Sequence, residues 1–185
     1  MQVHPDLARL RSNGAPQPAC DAALAAWRAL PHVVKARAAL ARLAAGEPLE
    51  QLQALARLVR DHAVACAFVA DFVELVVGSL RAEPLAQVPL GHSATPGMAR
   101  LRLIEQGRCC LTLTALAQRP HRLSPSALFE DGMVHELVVA GEGEALVHHL
   151  AGRTVTTETI GLEPGVRLVR EGPGNARQII QIQRP

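Results

Sequence analysis

Residues 134–150 read VHELVVAGEGEALVHHL, and this one stretch holds His135, Glu136, His148 and His149. Imidazoles with a carboxylate can ligate iron, nickel or zinc, and singly they serve as polar contacts to a small molecule. Two apolar runs flank a Gly-Glu-Gly turn, so the stretch reads as a β-hairpin. Side chains alternate along a strand. At most one of His135 and Glu136, and one of His148 and His149, can therefore face a common interior. Val134, Glu136, Val138 and Ala140 share one face, and His135, Leu137 and Val139 share the greasier one. That pattern puts His135 inside and Glu136 outside. With His135 across from His148 or His149, two imidazoles would converge. A metal would then need a third ligand from His121, Glu130 or Glu136.

Arginines carry a second kind of chemistry. Arg100 and Arg102 flank the first expected strands, and Arg167, Arg170 and Arg177 flank the last. A guanidinium turned inward grips a carboxylate or phosphate through two parallel hydrogen bonds. Nucleophilic catalysis has weaker footing. Ser93 lies beside His92, and Ser124 and Ser126 lie near His121. Neighbours in sequence are rarely oriented as nucleophile and base. Glu130–Asp131 and Glu142/Glu144 read as solvated turn charges. Cys20, Cys66, Cys109 and Cys110 show no CxxC spacing, so they read as reduced and structural.

Composition narrows the partners. The net charge is +2, acidic and basic residues are evenly interspersed, and aromatics make up 2% of the chain. A basic face and stacking platforms for nucleic acid are therefore not expected. The most hydrophobic stretch, 63–80, is broken by Asp71 and Glu74 and does not read as a membrane span. The N-terminus lacks the apolar segment of a secretory signal, and a cytoplasmic location is expected. With 49% apolar residues and almost no aromatics, the core must be aliphatic.

The elements that would position these residues fall into two halves. After a Pro/Gly linker at 12–19, a helix starts near Asp21 and runs to Pro31, and a second ends at the cap Gly46. Leu52, Leu55, Val59, His62, Cys66, Val69, Val73, Val76 and Leu80 then form an apolar stripe at alternating spacings of three and four. A break near Asp61–Ala63 is compatible with this stripe. So is a role for helix 50–80 as a dimerisation surface. His62 and Cys66 read as packed members of the stripe. Pro84 ends the helical run. Beyond it the period becomes two, with Gly107 marking a hairpin and further strands near 133–140, 144–150, 153–160, 165–171 and 177–183. The expected class is α+β: helices over 1–84, then an antiparallel β-sandwich or barrel over 85–185.

HELVVAGEGEALVHH resembles the central hairpin of the cupin superfamily, and IGLEPGVRLVREGPGNARQIIQI resembles its second conserved stretch. The preceding helices are similar in layout to thiol dioxygenases. The resemblance implies a jelly roll with an HxH pair, a glutamate and a later histidine around a metal. Counting back from Gly141, the HxH would fall near Leu128–Glu130 or Phe129–Asp131, where the sequence reads LFED. Glu136 lies where the family's glutamate could fall. The region of the last histidine reads GPGNARQII, with Arg177 in roughly its place. The expected function is thus a cupin-like small-molecule-binding or regulatory module without the usual metal centre, contacting its ligand through His135, Arg177 and His148 or His149. The alternative is a metal-dependent oxygenase or isomerase with displaced ligands drawn from His121, Glu130, His135, Glu136 and His148. Whether the chain is an enzyme is left open.

Overall fold

The computed structural model describes residues 17–83, 86–121 and 123–184. Pro84 and most of the expected 12–19 linker lie outside the described residues. The chain is α+β, with helices first and antiparallel strands after.

Helices α1 (Pro18–Ala29) and α2 (Pro31–Ala44) each begin on a proline. The first turn tolerates proline because its N–H would have no intrahelical partner. The first helix starts three residues earlier than expected, so Asp21 sits inside its first turn, where a carboxylate suits the positive end of the helix. Leu30 is extended and separates the two helices. Gly46 closes α2 at φ 98. Its N–H donates to Leu43 O at 2.9 Å, and Glu47 N–H donates to Arg42 O at 3.1 Å, the paired bonds of a glycine-terminated helix.

The apolar stripe over 50–80 is not one helix. A 3₁₀ turn, Leu49–Gln51, leads into α3 (Gln53–Leu58) and then α4 (His62–Phe72), which continues as a π turn over Val73–Val77. Asp61 caps α4 by accepting from Val64 N–H at 3.2 Å. The break resets the helical phase. The buried line of α4 and its extension is Ala65, Phe68, Phe72 and Val76, whereas Val73 is 46% exposed. Trp27 meets Phe68 and Phe72 edge-on, at centroid distances of 5.6 and 5.2 Å. Around them pack Leu24, Val33, Leu40, Leu52 and Leu55, with Leu90, Leu103 and Ile104 from the β half. The apolar residues of 50–80 thus serve mostly the chain's own core. No helix among the described residues is long and apolar enough to cross a membrane.

Among the described residues eight strands follow: β1 (Gly91–Thr95), β2 (Met98–Gln106), β3 (Cys109–Leu116), β4 (Met133–Leu137), β5 (Glu142–Ala151), β6 (Thr154–Leu162), β7 (Arg167–Glu171) and β8 (Asn175–Arg184). They form sheets in the orders β1-β2-β3, β4-β7 and β6-β5-β8, and no closed barrel is formed among the described residues. β1 was not anticipated: its GHSAT sequence is exposed throughout and has no hydrophobic alternation to betray it.

The expected hairpin of 134–140 with 144–150 is not formed. β4 pairs with β7, and β5 pairs with β6 and β8. The reason lies in the two glycines. Val138 N–H still donates to Val166 O, and Gly165 N–H donates to Val138 O, both at 2.9 Å. Gly141, at φ 91, then turns the chain out of this sheet, and Gly165, at φ 92, does so on the returning side. From the Val138–Val166 contact to the Gly143–Leu162 pair, one side advances five residues and the other four. β4-β5 and β6-β7 are therefore the two sides of one antiparallel ribbon. It is bent at these glycines, slips by one residue there, and so distributes its halves to two sheets. A second apolar cluster forms around the bend, with Ala145, Leu162 and Ile182 at its centre and Val138, Leu168, Ile160, Ile179 and Leu116 around them.

Gly143 is already part of β5. A Cβ there would stand 2.5 Å from Gln181 O on β8 and 2.9 Å from Ile182 Cδ1. Gly143→Ala should therefore destabilise the fold by about 1–3 kcal/mol, read as a lower urea midpoint. Gly161→Ala, where nothing lies within 4 Å, should leave the midpoint nearly unchanged. Equal midpoints for the two variants would contradict the close approach of β5 and β8.

Candidate functional site

The bend brings the Glu136 face of β4 against β8. Glu136 accepts from Arg177 Nη2 at 2.8 Å, and Arg170 Nε lies 3.6 Å from its other oxygen. The second approach is too long for a hydrogen bond. Arg170 reaches Glu136 from β7, where it stands opposite Val134 on the same face. The side chains are 27% exposed for Glu136 and 18% for each arginine. Glu136 Oε2, Arg170 Nε and Arg177 Nε are shielded from solvent and lack hydrogen-bond partners among the described residues. Two guanidinium groups thus share one carboxylate, leaving one positive charge in excess in a half-buried setting. Such groups bind a further anion more strongly than exposed arginines do, because solvent screens them less.

The sheet face that carries Arg177 is graded. Ala145, Ile160 and Ile179 are register partners and belong to the second apolar cluster. One step along, Val147 stands between Glu158 and Arg177, and the next row is Thr156, His149 and Asn175. Asn175 Nδ2 lies 3.1 Å from His149 Nδ1, and His149 Nε2 lies 3.0 Å from Glu158 Oε1. With the amide donating to Nδ1, the ring proton sits on Nε2 and is donated to the carboxylate. The face therefore runs from apolar, through Arg177, to an open polar end.

The remaining expected site residues are dispersed. His135 shares the inward face of Leu137 and Val139, which pack into the helical core, but Glu136 is not outside: it faces the second sheet. Both faces of β4 are covered, one by helices and one by a sheet, so greasiness could not rank them. The register partner of His135 is Val169, not His148 or His149. Both ring nitrogens of His135 are buried without partners. Burial holds its pKa below the ordinary 6.5; Arg60 pushes the same way, Glu50 opposes it, and Arg167 and Glu171 act as a smaller opposing pair.

His148 lies on the face of β5 opposite to His149 and is 8% exposed. Its Nδ1 is 2.8 Å from Thr157 Oγ1 and its Nε2 is 3.1 Å from Gln178 Oε1. The Gln178 amide donates in turn to Ser124 O and Ser126 O, each at 3.1 Å. Both nitrogens of His148 are thus used in tying the 123–128 loop to the sheet. His121 Nε2 lies 3.3 Å from Ala117 O, and Glu130 is exposed ahead of β4. The alternative metal set of His121, Glu130, His135, Glu136 and His148 therefore does not converge. No group of three metal-ligating side chains occurs among the described residues, and the cupin metal centre does not fit the residues present. His62 does more than pack: its Nε2 donates to Val139 O at 2.8 Å and lies 3.2 Å from Cys66 Sγ, joining α4 to the end of β4.

Sequence reading named Arg177 and Glu136 separately but missed their pairing and missed Arg170 as its third member. The alternation of residues 134, 136 and 138 was the available signal, once the ribbon is known to bend. No family model matches the chain, and no curated protein or solved structure matches it.

His135 yields a pH signature. Its folded pKa is depressed, so between 6.5 and that lower value the unfolded chain binds a proton that the folded chain does not. Stability from this group is complete above 6.5 and falls as pH drops through it. His135→Leu should remove this part of the slope: wild type should lose urea midpoint relative to the variant between about pH 7.5 and about pH 5. Parallel curves would refute the assignment.

Proposed function

We propose that this chain is a small-molecule-binding module of cupin-like architecture whose ligand carries one anionic group, a carboxylate or a phosphate, held by Arg170 and Arg177. The supporting observation is the charge imbalance at Glu136, where two half-buried arginines share one carboxylate and keep an unpartnered Nε each. Glu136 holds Arg177 in place before the ligand arrives, which lowers the ordering cost of binding. It also repels a second negative charge, so the site favours a singly charged acid. The row of Ala145, Ile160 and Ile179 is packed into the second apolar cluster, so the ligand's body would lie toward the open end, where His149 and Asn175 suit a polar group. The architectural part of the reading draws support from the bent ribbon. Its halves lie in two sheets, and Pro120 bridges Gln181 at the outer edge of β8, as expected of a jelly roll built from folded-over antiparallel pairs.

Thermal unfolding measured across a panel of aliphatic and aromatic monocarboxylates, dicarboxylates and inorganic phosphate tests this. A ligand at a hundred times its Kd stabilises by about 2.7 kcal/mol. Monocarboxylates should raise Tm more than dicarboxylates of similar size. Arg177→Leu should abolish the rise, and Glu136→Gln should strengthen anion binding roughly tenfold by freeing both arginines. No response to any anion in wild type and in Glu136→Gln would sink the proposal. So would stoichiometric iron, nickel or zinc in purified protein that is lost in His135→Ala.

A further inference from the structure

Sheet β6-β5-β8 has two edges of different character. At the β8 edge, His121 N–H donates to Ile180 O at 2.8 Å and Ile182 N–H donates to Arg119 O at 3.1 Å, so a neighbouring segment covers it. β8 also pairs with β5 through two register shifts. The β6 edge has no pairing partner among the described residues. β6 is nine residues long and pairs with β5 without a shift. Residues Thr154–Thr159 are exposed without interruption, so their free backbone edge lies at the surface. By contrast, β3, the other long strand at a sheet edge, alternates with half-buried positions, and β1, β4 and β7 have five residues each. The sequence TVTTETIGL contains no proline or lysine and a single charge. Of the usual devices that keep an exposed edge from pairing, proline, lysine and a bulge are absent, and only Glu158 puts a charge on the strand. On the face away from Arg177, Val155 at 48% exposure and its register partner Leu150 at 37% leave an apolar spot beside this edge.

We infer that β6 pairs antiparallel with β6 of a second copy of this chain about a two-fold axis, joining two three-stranded sheets into one of six. The register centred on Thr157 is self-complementary. In a two-fold antiparallel pair, a residue at the centre faces itself and flanking residues exchange symmetrically. Centred on Glu158, two carboxylates would oppose each other, which is destabilising. Centred on Thr157, Thr157 meets Thr157, Val155 meets Thr159, and Thr156 meets Glu158. Each Thr156 hydroxyl can then donate to the opposing carboxylate. The apolar Val155 and Leu150 lose solvent, and no like charges meet. Glu158 also accepts from His149, so the two-fold lies next to the open polar end of the proposed ligand site.

Light scattering and sedimentation of the full chain from about 1 to about 300 µM test the inference, a range in which interfaces of this kind associate. Wild type should be a dimer over the upper part of that range. Val155→Lys/Thr159→Lys puts like charges opposite each other twice and should weaken association at least tenfold. Val155→Lys/Thr159→Glu pairs opposite charges in the same register and should restore it. A wild-type monomer throughout, or an unchanged dimer in the double-lysine variant, would overturn the inference. Should the charged variants fail to fold by circular dichroism, disulfide formation decides. Thr157→Cys should crosslink two copies faster under mild oxidation than Glu158→Cys or wild type with its native cysteines, and equal rates would overturn the register and with it the inference.

Discussion

Everything from β4 to β8 depends on one backbone constraint: a single antiparallel ribbon must bend across Gly141 and Gly165. Both residues adopt positive φ, a region that residues with a Cβ rarely enter. They fall at nearly opposite points of the ribbon, so both sides turn together and the register survives with a slip of one residue. Without the bend, β4 would continue into β5 in one plane, and Glu136 and Arg177 would have no reason to meet. With it, the β4-β7 and β5-β6 pairings become apposed layers, and the apolar residues of both fill the space between them. Gly143 belongs to the same device. It lets β8 approach β5 where a methyl group would strike Gln181 O.

The charge cluster gains its character from incomplete burial. Fully buried, an arginine pair with one carboxylate would pay a desolvation penalty exceeding its attraction unless every donor were satisfied. Fully exposed, it would be screened to little value. At about a quarter exposure for the carboxylate and less for the arginines, the 2.8 Å contact orders Arg177, and the second arginine at 3.6 Å is oriented but not saturated. That asymmetry leaves Arg170 less tightly held by Glu136 than Arg177 is.

Most elements were legible in the sequence because their signals are local. Pro31 between two helical runs, Gly46 at a helix end and the two-residue period of the later strands each act within a few positions. What was illegible depends on partners far along the chain. Gly-Glu-Gly looks like a hairpin turn, and only the pairing of β4 with β7 shows it to be a corner. The stripe through His62, Cys66 and Val69 keeps perfect spacing across Asp61, yet the cap at Asp61 breaks the helix and moves the buried line to Phe68 and Phe72. Glu136 and Arg177 were each visible as candidates. Their contact spans forty-one positions, and no local pattern specifies it.

Alternation also explains why adjacent histidines have unrelated roles. His148 and His149 differ by one position and therefore by one sheet face. The first is buried, with both nitrogens engaged, and anchors a loop; the second sits at the open end of the arginine-bearing face. His135 and Glu136 repeat the pattern on β4, where the partition is between layers. His135 turns to the helices, near the point where His62 donates to Val139 O, and Glu136 turns to the second sheet. The strand therefore couples two environments that respond to different variables. Protonation of His135 is opposed by burial and by Arg60, so acid acts on the helical side of β4. The other side carries the cluster of Glu136, Arg170 and Arg177. One five-residue strand thus separates an imidazole whose burial disfavours its charge from a charged cluster on the opposite face.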